Sequence, residues 1–207
     1  VHVVRVGKRL DELEFSPPQA PARCFICVGR FAEKKAHLDT VRAVEAARQA
    51  GHPVSLQIIG GGARFARVEA YVAERGLGEH VELLGERPFA EVIARMRQAD
   101  AFILSSKTAR NGDQEGVPTV LMEAQALGLP CVSTRHAGIP EVIPEANHWA
   151  LAPEGDIEGL AARIGRMAGL SQFELVTQAE RGRARVEEEF DLVAQIDRLE
   201  RLYRSLG

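Results

Sequence analysis

From residue 23 onward, short apolar runs alternate with longer segments whose apolar residues recur at helical spacing, and this alternation constrains the fold most. The runs that predict strands lie at residues 23–28, 54–59, 81–84, 100–104, 130–134 and 148–152. They are short and almost continuously hydrophobic, which is typical of parallel strands covered on both faces. A helical stripe is clearest at Phe89, Val92, Ile93 and Met96. We therefore predict a doubly wound, Rossmann-like α/β fold with about six parallel strands and helices on both faces.

Composition and charge exclude several classes of protein. The chain has 26 Lys and Arg residues against 29 Asp and Glu residues, giving a formal net charge of −3. This balance argues against a nucleic-acid partner, which requires a basic face. No apolar run approaches the ~18 residues of a membrane span. Three cysteines are too few for a disulfide framework and fit the reducing cytoplasm, and with the six histidines they form no metal-binding pattern, so we expect a cytoplasmic protein without a metal site.

Both ends of the chain differ from its alternating part. The chain opens at Val1 with a strand-like run, and the Pro-rich residues 17–21 form a stiff, extended connector before the first strand. We interpret residues 1–22 as the remnant of a preceding domain with an interdomain linker. Residues 23–190 are predicted to form the binding domain, and residues 191–207 a C-terminal helix.

The loops that follow the strands carry the candidate site, because ligands of open α/β sheets bind beyond the carboxyl ends of the strands. After the first strand, Gly29 permits a sharp turn, and Arg30 and Lys35 place two cations near a helix start. Two cations and the helix amide dipoles suit a diphosphate. Basic residues on surface loops often have no function, so this loop alone leaves both interpretations open.

The loop after the fourth strand shows more features of a ligand site. Gly116 allows close approach of the backbone, and Pro118 suits a first helical turn, so free amide donors near Gly116 and Thr119 are expected to point at a ligand. Glu115 lies at the mouth of this loop, where a carboxylate accepts hydrogen bonds from sugar hydroxyls. Glu123 lies one helical turn beyond Thr119 on the same helix face, and it is either exposed by chance or binds a polar group.

A third loop carries three consecutive glycines after the second strand, Gly60 to Gly62, and resembles the dinucleotide-binding pattern GxGxxG. The third glycine position holds Phe65, and the turn follows the second strand rather than the first. A nicotinamide-dependent oxidoreductase is therefore disfavoured, and a tight strand-to-helix turn is enough to explain the glycines. His136, in the loop after the fifth strand, is interpreted as a surface-loop bystander.

Two longer motifs make the sequence recognisable. Glu115 and Glu123 have the EX7E spacing within EGVPTVLMEAQALGLPCVSTRHAGIPEVI, and VGRFAEKKA covers residues 28–36. Together they resemble glycosyltransferase family 4, whose members are retaining GT-B enzymes that use nucleotide sugars. The GDQEGVP sequence resembles in particular the exopolysaccharide branch of the colanic acid or amylovoran type. The resemblance implies that this chain is the C-terminal, nucleotide-sugar-binding half of a GT-B fold and that its N-terminal acceptor-binding domain is missing.

The resemblance also implies roles for individual residues. Arg30 and Lys35 bind the donor diphosphate, Glu123 holds the ribose hydroxyls, and Arg87 frames the base chiefly through the main chain. Glu115, with the backbone that follows it, contacts the transferred sugar and the distal phosphate, so Glu115, Arg30 and Lys35 are the catalytic candidates. The complete set of implied donor-binding residues is Gly29, Arg30, Lys35, Arg87, Glu115, Gly116, Val117, Pro118, Thr119 and Glu123. Ala36 departs from the family, which usually has glycine there.

The activity implied for the complete enzyme is transfer of a hexose from a UDP-, GDP- or ADP-linked sugar to a glycan or lipid-linked acceptor in exopolysaccharide biosynthesis. We expect no cofactor besides this donor, binding without a metal ion, and peripheral association of the complete enzyme with the inner face of the membrane. The present chain alone is expected to be inactive. Two alternatives stay open: a GT-B-like sugar-nucleotide epimerase and a non-catalytic nucleotide-sugar-binding module.

Overall fold

The structure, a computed structural model, describes the backbone of residues 3–206 and the side chains of residues 3–205. Within these residues six parallel strands form one sheet in the order β3-β2-β1-β4-β5-β6. The strands are β1 (Cys24–Val28), β2 (Ser55–Ile59), β3 (Val81–Gly85), β4 (Ala101–Leu104), β5 (Cys131–Thr134) and β6 (Leu151–Ala152). The predicted doubly wound α/β fold is confirmed. Because the strand order reverses between β1 and β4, the ligand crevice of this fold class lies beyond those two strands.

Helices cover both faces of this sheet. The described residues contain α1 (His37–Gln49), α2 (Phe65–Glu74), α3 (Phe89–Gln98), α4 (Thr119–Leu127), α5 (Ile139–Val142), α6 (Ile157–Ala168), α7 (Gln172–Phe190) and α8 (Leu192–Leu206). One face carries α1, packed against α2 and α6, and the opposite face carries α4, packed against α3 and α7. Among residues 3–206, no helix combines the length and the apolar character that crossing a lipid bilayer requires.

The central strands form the middle of the core. Phe25 and Ile26 of β1 and Phe102 and Ile103 of β4 are fully buried. Burial of each such side chain contributes roughly 1.5–3 kcal/mol. Helices on both faces account for the continuous hydrophobicity of β1 and β4, because no residue of these two strands is exposed.

The sixth strand is shorter than predicted, and the prediction of strand structure over 148–150 is wrong. Residues Glu145–Ala150 form a 3-10 helix, and only Leu151–Ala152 pair with β5. Contacts of two side chains with carbonyl oxygens explain the difference. The ring of His148 lies 3.0 Å from the Ile143 carbonyl oxygen, and the Asn147 amide donates to the Gln178 carbonyl oxygen.

The N-terminal segment packs on the domain instead of extending a sheet. Residues 3–6 form no strand, contrary to their pattern, because the Arg5 N–H donates to the side chain of Gln195 on α8 at 2.9 Å. Leu10 and Leu13 are buried in the same core as the sheet. Residues 1 and 2 of the strand-like run lie outside the described residues. The origin of residues 1–22 in a preceding domain stays a prediction.

Candidate functional site

The loops after β1 and β2 touch through glycines. Gly60 has a φ of +147°, and a Cβ atom there would overlap the carbonyl oxygen of Gly29. The Gly29 N–H donates to Ile59 and the Phe31 N–H donates to Gly61, at 3.0 and 2.8 Å. These contacts hold the β1–α1 loop (residues 29–36) at the sheet edge, so the glycine run has the tight-turn role expected of it.

The β1–α1 loop presents its cations in two different environments. A 3-10 turn at Glu33–Lys35 ends at Ala36, whose φ of 45° and ψ of 35° are left-handed. Ala36 therefore occupies a conformation that glycine adopts without strain. The Lys35 side chain is 15% exposed, whereas Arg30 is exposed and forms no ion pair within residues 3–205.

Lys35 and Glu115 form an ion pair that joins the β1–α1 loop to the β4–α4 loop (residues 105–118). The Lys35 Nζ atom lies 3.1 Å from Glu115 Oε2, and the Glu115 side chain is 8% exposed. Beside this pair, Lys34 lies 3.0 Å from Asp113. The other carboxylate oxygen of Glu115, Oε1, is buried and accepts no hydrogen bond within the described residues. That oxygen is a free acceptor for a ligand hydroxyl.

His136 holds the backbone of Glu115, so it is not the surface bystander we expected. Its side chain is 2% exposed, its Nε2 atom accepts the Glu115 N–H at 3.2 Å, and its Nδ1 atom lies 2.6 Å from Glu154 Oε2. A neutral ring protonated at Nδ1 satisfies both contacts. Glu154 also accepts the Thr108 N–H at 2.9 Å. Burial opposes ionisation of Glu154, but the hydrogen bonds from Thr108 and His136 together lower the pKa of Glu154.

The start of α4 lies next to these loops. α4 begins at Thr119 after Pro118, and no side chain caps it. The Leu121 N–H donates to the Pro118 carbonyl oxygen at 3.1 Å, whereas the N–H groups of Thr119 and Val120 have no acceptor within the described residues and present positive potential. Gly138 fits closely against this turn, because its N–H donates to the Gly116 carbonyl oxygen at 3.1 Å and a Cβ atom would lie 2.6 Å from that oxygen. The backbone of Gly116, Val117, Pro118 and Thr119 is thus fixed beside Glu115.

Glu123 and Arg87 have ion-pair partners of their own, outside the Lys35–Glu115 pair. Glu123 is 8% exposed, and its Oε1 atom lies 2.5 Å from the Nζ atom of Lys8. The same Nζ atom lies 5.1 Å from the ring centre of Phe89, which is exposed. Arg87 pairs with Glu91 at 3.1 Å. Within residues 3–205, no hydrogen bond or ion pair connects either residue to the pair.

The sequence did not indicate roles for Lys8, Thr108 and Glu154, and it placed His136 outside the site. Lys8 reaches Glu123 only because residues 7–13 pack on α7 and α8, where the Lys8 N–H donates to the Phe190 carbonyl oxygen. Such long-range contacts leave no local pattern in the sequence. No group of three or more His, Cys, Asp or Glu side chains in the described part of the chain could hold a metal ion. Metal-independent donor binding stays a prediction.

Comparison with known proteins gives a consistent result. The family model for glycosyl transferases group 1 matches residues 11–175. The putative colanic acid biosynthesis glycosyltransferase WcaL of Escherichia coli K12 is 35% identical over 92% of this chain and 48% of its own length. The amylovoran biosynthesis glycosyltransferase AmsK of Erwinia amylovora is 37% identical over 92% of this chain and 47% of its own length. This chain therefore spans about half the length of these curated relatives.

A solved structure shows the same fold. The Anabaena protein HepE, crystallised with UDP and glucose, superposes with a TM-score of 0.79 at 20% identity. The match covers 96% of this chain and 55% of HepE. At this identity the likeness concerns the fold, which is that of a GT-B glycosyltransferase domain.

Proposed function

Because this chain belongs to the group 1 glycosyl transferases, we propose that it is the donor-binding half of a retaining glycosyltransferase of exopolysaccharide biosynthesis. The complete enzyme transfers a hexose from a nucleotide-diphosphate sugar to a glycan or lipid-linked acceptor. The names of WcaL and AmsK support the pathway, and the UDP and glucose in HepE support the donor class. We further propose that the complete enzyme works in the cytoplasm at the inner face of the membrane.

The observation that carries this proposal is the Lys35–Glu115 pair beside the uncapped start of α4. Arg30, Lys35 and the α4 amides offer positive charge to a diphosphate. The buried Oε1 atom of Glu115 offers an acceptor to a hydroxyl of the attached sugar. One ligand that carries a diphosphate next to a sugar satisfies both features.

The same groups can promote the transfer. As the bond from the anomeric carbon to the diphosphate oxygen breaks, negative charge develops on the diphosphate, and Arg30, Lys35 and the amides stabilise it. The acceptor oxygen bonds to the same face of the anomeric carbon, and a leaving phosphate oxygen takes the acceptor proton. This course requires no covalent nucleophile on the enzyme.

In this proposal the nucleoside binds next to Glu123 and Arg87. A carboxylate has about four acceptor positions, so Glu123 can accept ribose hydroxyls while it still pairs with Lys8. The exposed main chain near Arg87 frames the base. These two assignments rest on the EX7E resemblance and on position after β3.

The other half of the enzyme is the acceptor-binding domain. α8 exposes an apolar stripe of Val193, Ile196, Leu199 and Tyr203. We propose that the N-terminal domain packs near this stripe. The donor half alone should not catalyse rapid transfer, because holding both reactants together supplies roughly 7–11 kcal/mol of the barrier reduction.

Isothermal titration of this chain with UDP, GDP and ADP in the presence of a chelator tests the donor assignment. One of the three should bind, and Arg30→Ala and Lys35→Ala should weaken it about tenfold or more while leaving the bare nucleoside unaffected. Arg201→Ala, on the exposed face of α8, is the matched control. Equal losses for nucleoside and diphosphate contradict the assignment. Donor binding without transfer in the complete protein favours the epimerase or the non-catalytic module.

A further inference from the structure

A cavity lies beside the β1–α1 loop, outside the proposed donor-binding residues. It has a volume of about 360 Å³, within the usual range of small-molecule sites, and opens between the starts of α1 and α2. Its walls come from the β1–α1 loop, α1, α2 and the β4–α4 loop. They consist of Ala32, Glu33, Ala36, His37, Leu38, Asp39, Arg42, Arg64, Arg67, Val68, Lys107, Thr108 and Arg110. None of these belongs to the proposed donor-binding set, although the β1–α1 and β4–α4 loops also carry the donor-binding candidates Lys35 and Glu115.

Cations outnumber carboxylates in this cavity by five to two. Arg64 pairs with Glu33 at 2.7 Å, and Lys107 pairs with Asp39 at 2.6 Å. Arg42 lies over the ring of Tyr71, and neither Arg42 nor the exposed Arg67 forms an ion pair within residues 3–205. The two acids are thus already engaged, and a net positive charge faces the cavity.

His37 adds an unpartnered polar group to the cavity wall. It is 3% exposed and stacks on Phe31 with ring centres 4.2 Å apart. The Gly29 backbone lies near the ring, but neither ring nitrogen forms a hydrogen bond of regular geometry within the described residues. A neutral imidazole carries one donor and one acceptor. Buried polar groups usually have partners because leaving them unpaired costs free energy. A ligand group that both donates and accepts would satisfy this ring.

We propose that this cavity is a second binding site, for a small soluble molecule that carries phosphate and a hydroxyl group. The phosphate is bound by Arg42 and Arg67, whose planar guanidinium groups match phosphate oxygens. The hydroxyl or a protonated phosphate oxygen pairs with His37. The exposed large apolar side chains of residues 3–205 lie outside the cavity wall, which favours a soluble molecule over a lipid headgroup.

The test uses NMR spectra of this chain titrated with glycerol 3-phosphate, with glycerol as the uncharged control. Glycerol 3-phosphate should shift the His37 ring and the Arg64 Nε–H signals saturably at millimolar concentration, and glycerol should not. Arg67→Gln, which removes an exposed and unpaired cation, should weaken binding about tenfold. Arg201→Gln should leave it unchanged.

Two outcomes overturn the proposal: an absence of saturable shifts at His37, or unchanged binding in a folded Arg67→Gln variant. Arg42→Gln provides a second measurement, with a thermal melt to confirm folding. Titration of the same variants with UDP, GDP and ADP separates this site from the donor site. Arg67→Gln should leave nucleotide affinity unchanged, so each site can fail its test without the other.

Discussion

The ammonium of Lys35 lies 3.1 Å from the carboxylate of Glu115, although 80 positions separate the two residues in the chain. Both side chains are mostly buried. In the absence of a donor, each therefore neutralises the other. When a nucleotide sugar binds, we expect the diphosphate to replace Glu115 as the partner of Lys35, which leaves both oxygens of Glu115 available to the sugar.

Glu115→Gln should separate the pairing of Glu115 with Lys35 from the contact of Glu115 with the sugar. Without the competing carboxylate, Lys35 should bind the bare nucleoside diphosphate more tightly than in the wild type. The nucleotide sugar should lose about tenfold relative to that diphosphate, because its hydroxyl loses a charged acceptor. Calorimetric titration with both ligands gives the ratio of their two dissociation constants. A ratio equal to that of the wild type excludes a contact between Glu115 and the sugar.

At the proposed ribose site, variants of Glu123 and Lys8 should separate the contact of Glu123 with ribose from its ion pair with Lys8. Glu123→Gln should weaken the native nucleoside diphosphate by roughly 1.5–3 kcal/mol, the scale of hydrogen bonds to a charged group. Lys8→Met, the matched control, removes the ion-pair partner and should not lower nucleotide affinity. The double variant should lose as much affinity as Glu123→Gln alone. If a folded Glu123→Gln protein binds the nucleotide as the wild type does, the 2.5 Å pair with Lys8 is structural only.

His136→Phe should change the selectivity of the site more than its affinity for phosphate. The ring accepts the Glu115 N–H and contacts Glu154, so its loss frees the Glu115 backbone. We expect the nucleotide sugar to bind about five- to tenfold more weakly, and the nucleoside diphosphate to bind as before. His136→Gln, which keeps an acceptor, should recover part of the loss. Equal weakening of both ligands indicates a general loss of structure instead.

Much of the fold follows from local pattern. Five of the six strand predictions begin and end within one residue of the observed strands, because helices cover both sheet faces and make the strands largely apolar. The sixth predicted strand begins three residues too early. Its first residues form a 3-10 helix, in which His148 and Asn147 contact carbonyl oxygens, and the hydrophobic periodicity gives no sign of these contacts.

The site was predictable only in part. The loops after β1 and β4 meet because parallel strands end at one edge, so the approach of Lys35 to Glu115 follows from topology. The contacts of His136 with Glu115 and of Lys8 with Glu123 depend on how three loops and the N-terminal segment pack. No spacing in the sequence encodes such packing.

Ala36→Gly should stabilise the domain. Ala36 has a φ of 45°, and an L-residue in this left-handed conformation costs roughly 1–2 kcal/mol. Glycine relieves that cost but loses more backbone entropy on folding. We expect a net gain of about 0.5–1 kcal/mol in the free energy of unfolding, measured with urea. Ala46→Gly, inside α1, is the control and should lose about 1 kcal/mol. A loss at both positions contradicts the predicted relief of strain.

His37 gives folding stability a pH dependence. Burial, reinforced by the nearby positive charge of Lys35, lowers the pKa of His37 from 6.5 to about 4. Between these values the unfolded chain binds a proton at His37 that the folded chain does not. Stability from this residue is therefore complete above pH 6.5 and falls as the pH drops toward 4.

His37→Leu should remove that dependence. Over the interval from pH 6.5 to 4, the wild type should lose about 3 kcal/mol more unfolding free energy than the variant, since each unit of pKa shift corresponds to about 1.4 kcal/mol. All other titrating groups are shared, so the difference between the two profiles isolates His37. Urea unfolding at several pH values measures both profiles. Parallel profiles mean that His37 titrates alike in the folded and unfolded chains, which contradicts a neutral, desolvated ring in the folded protein.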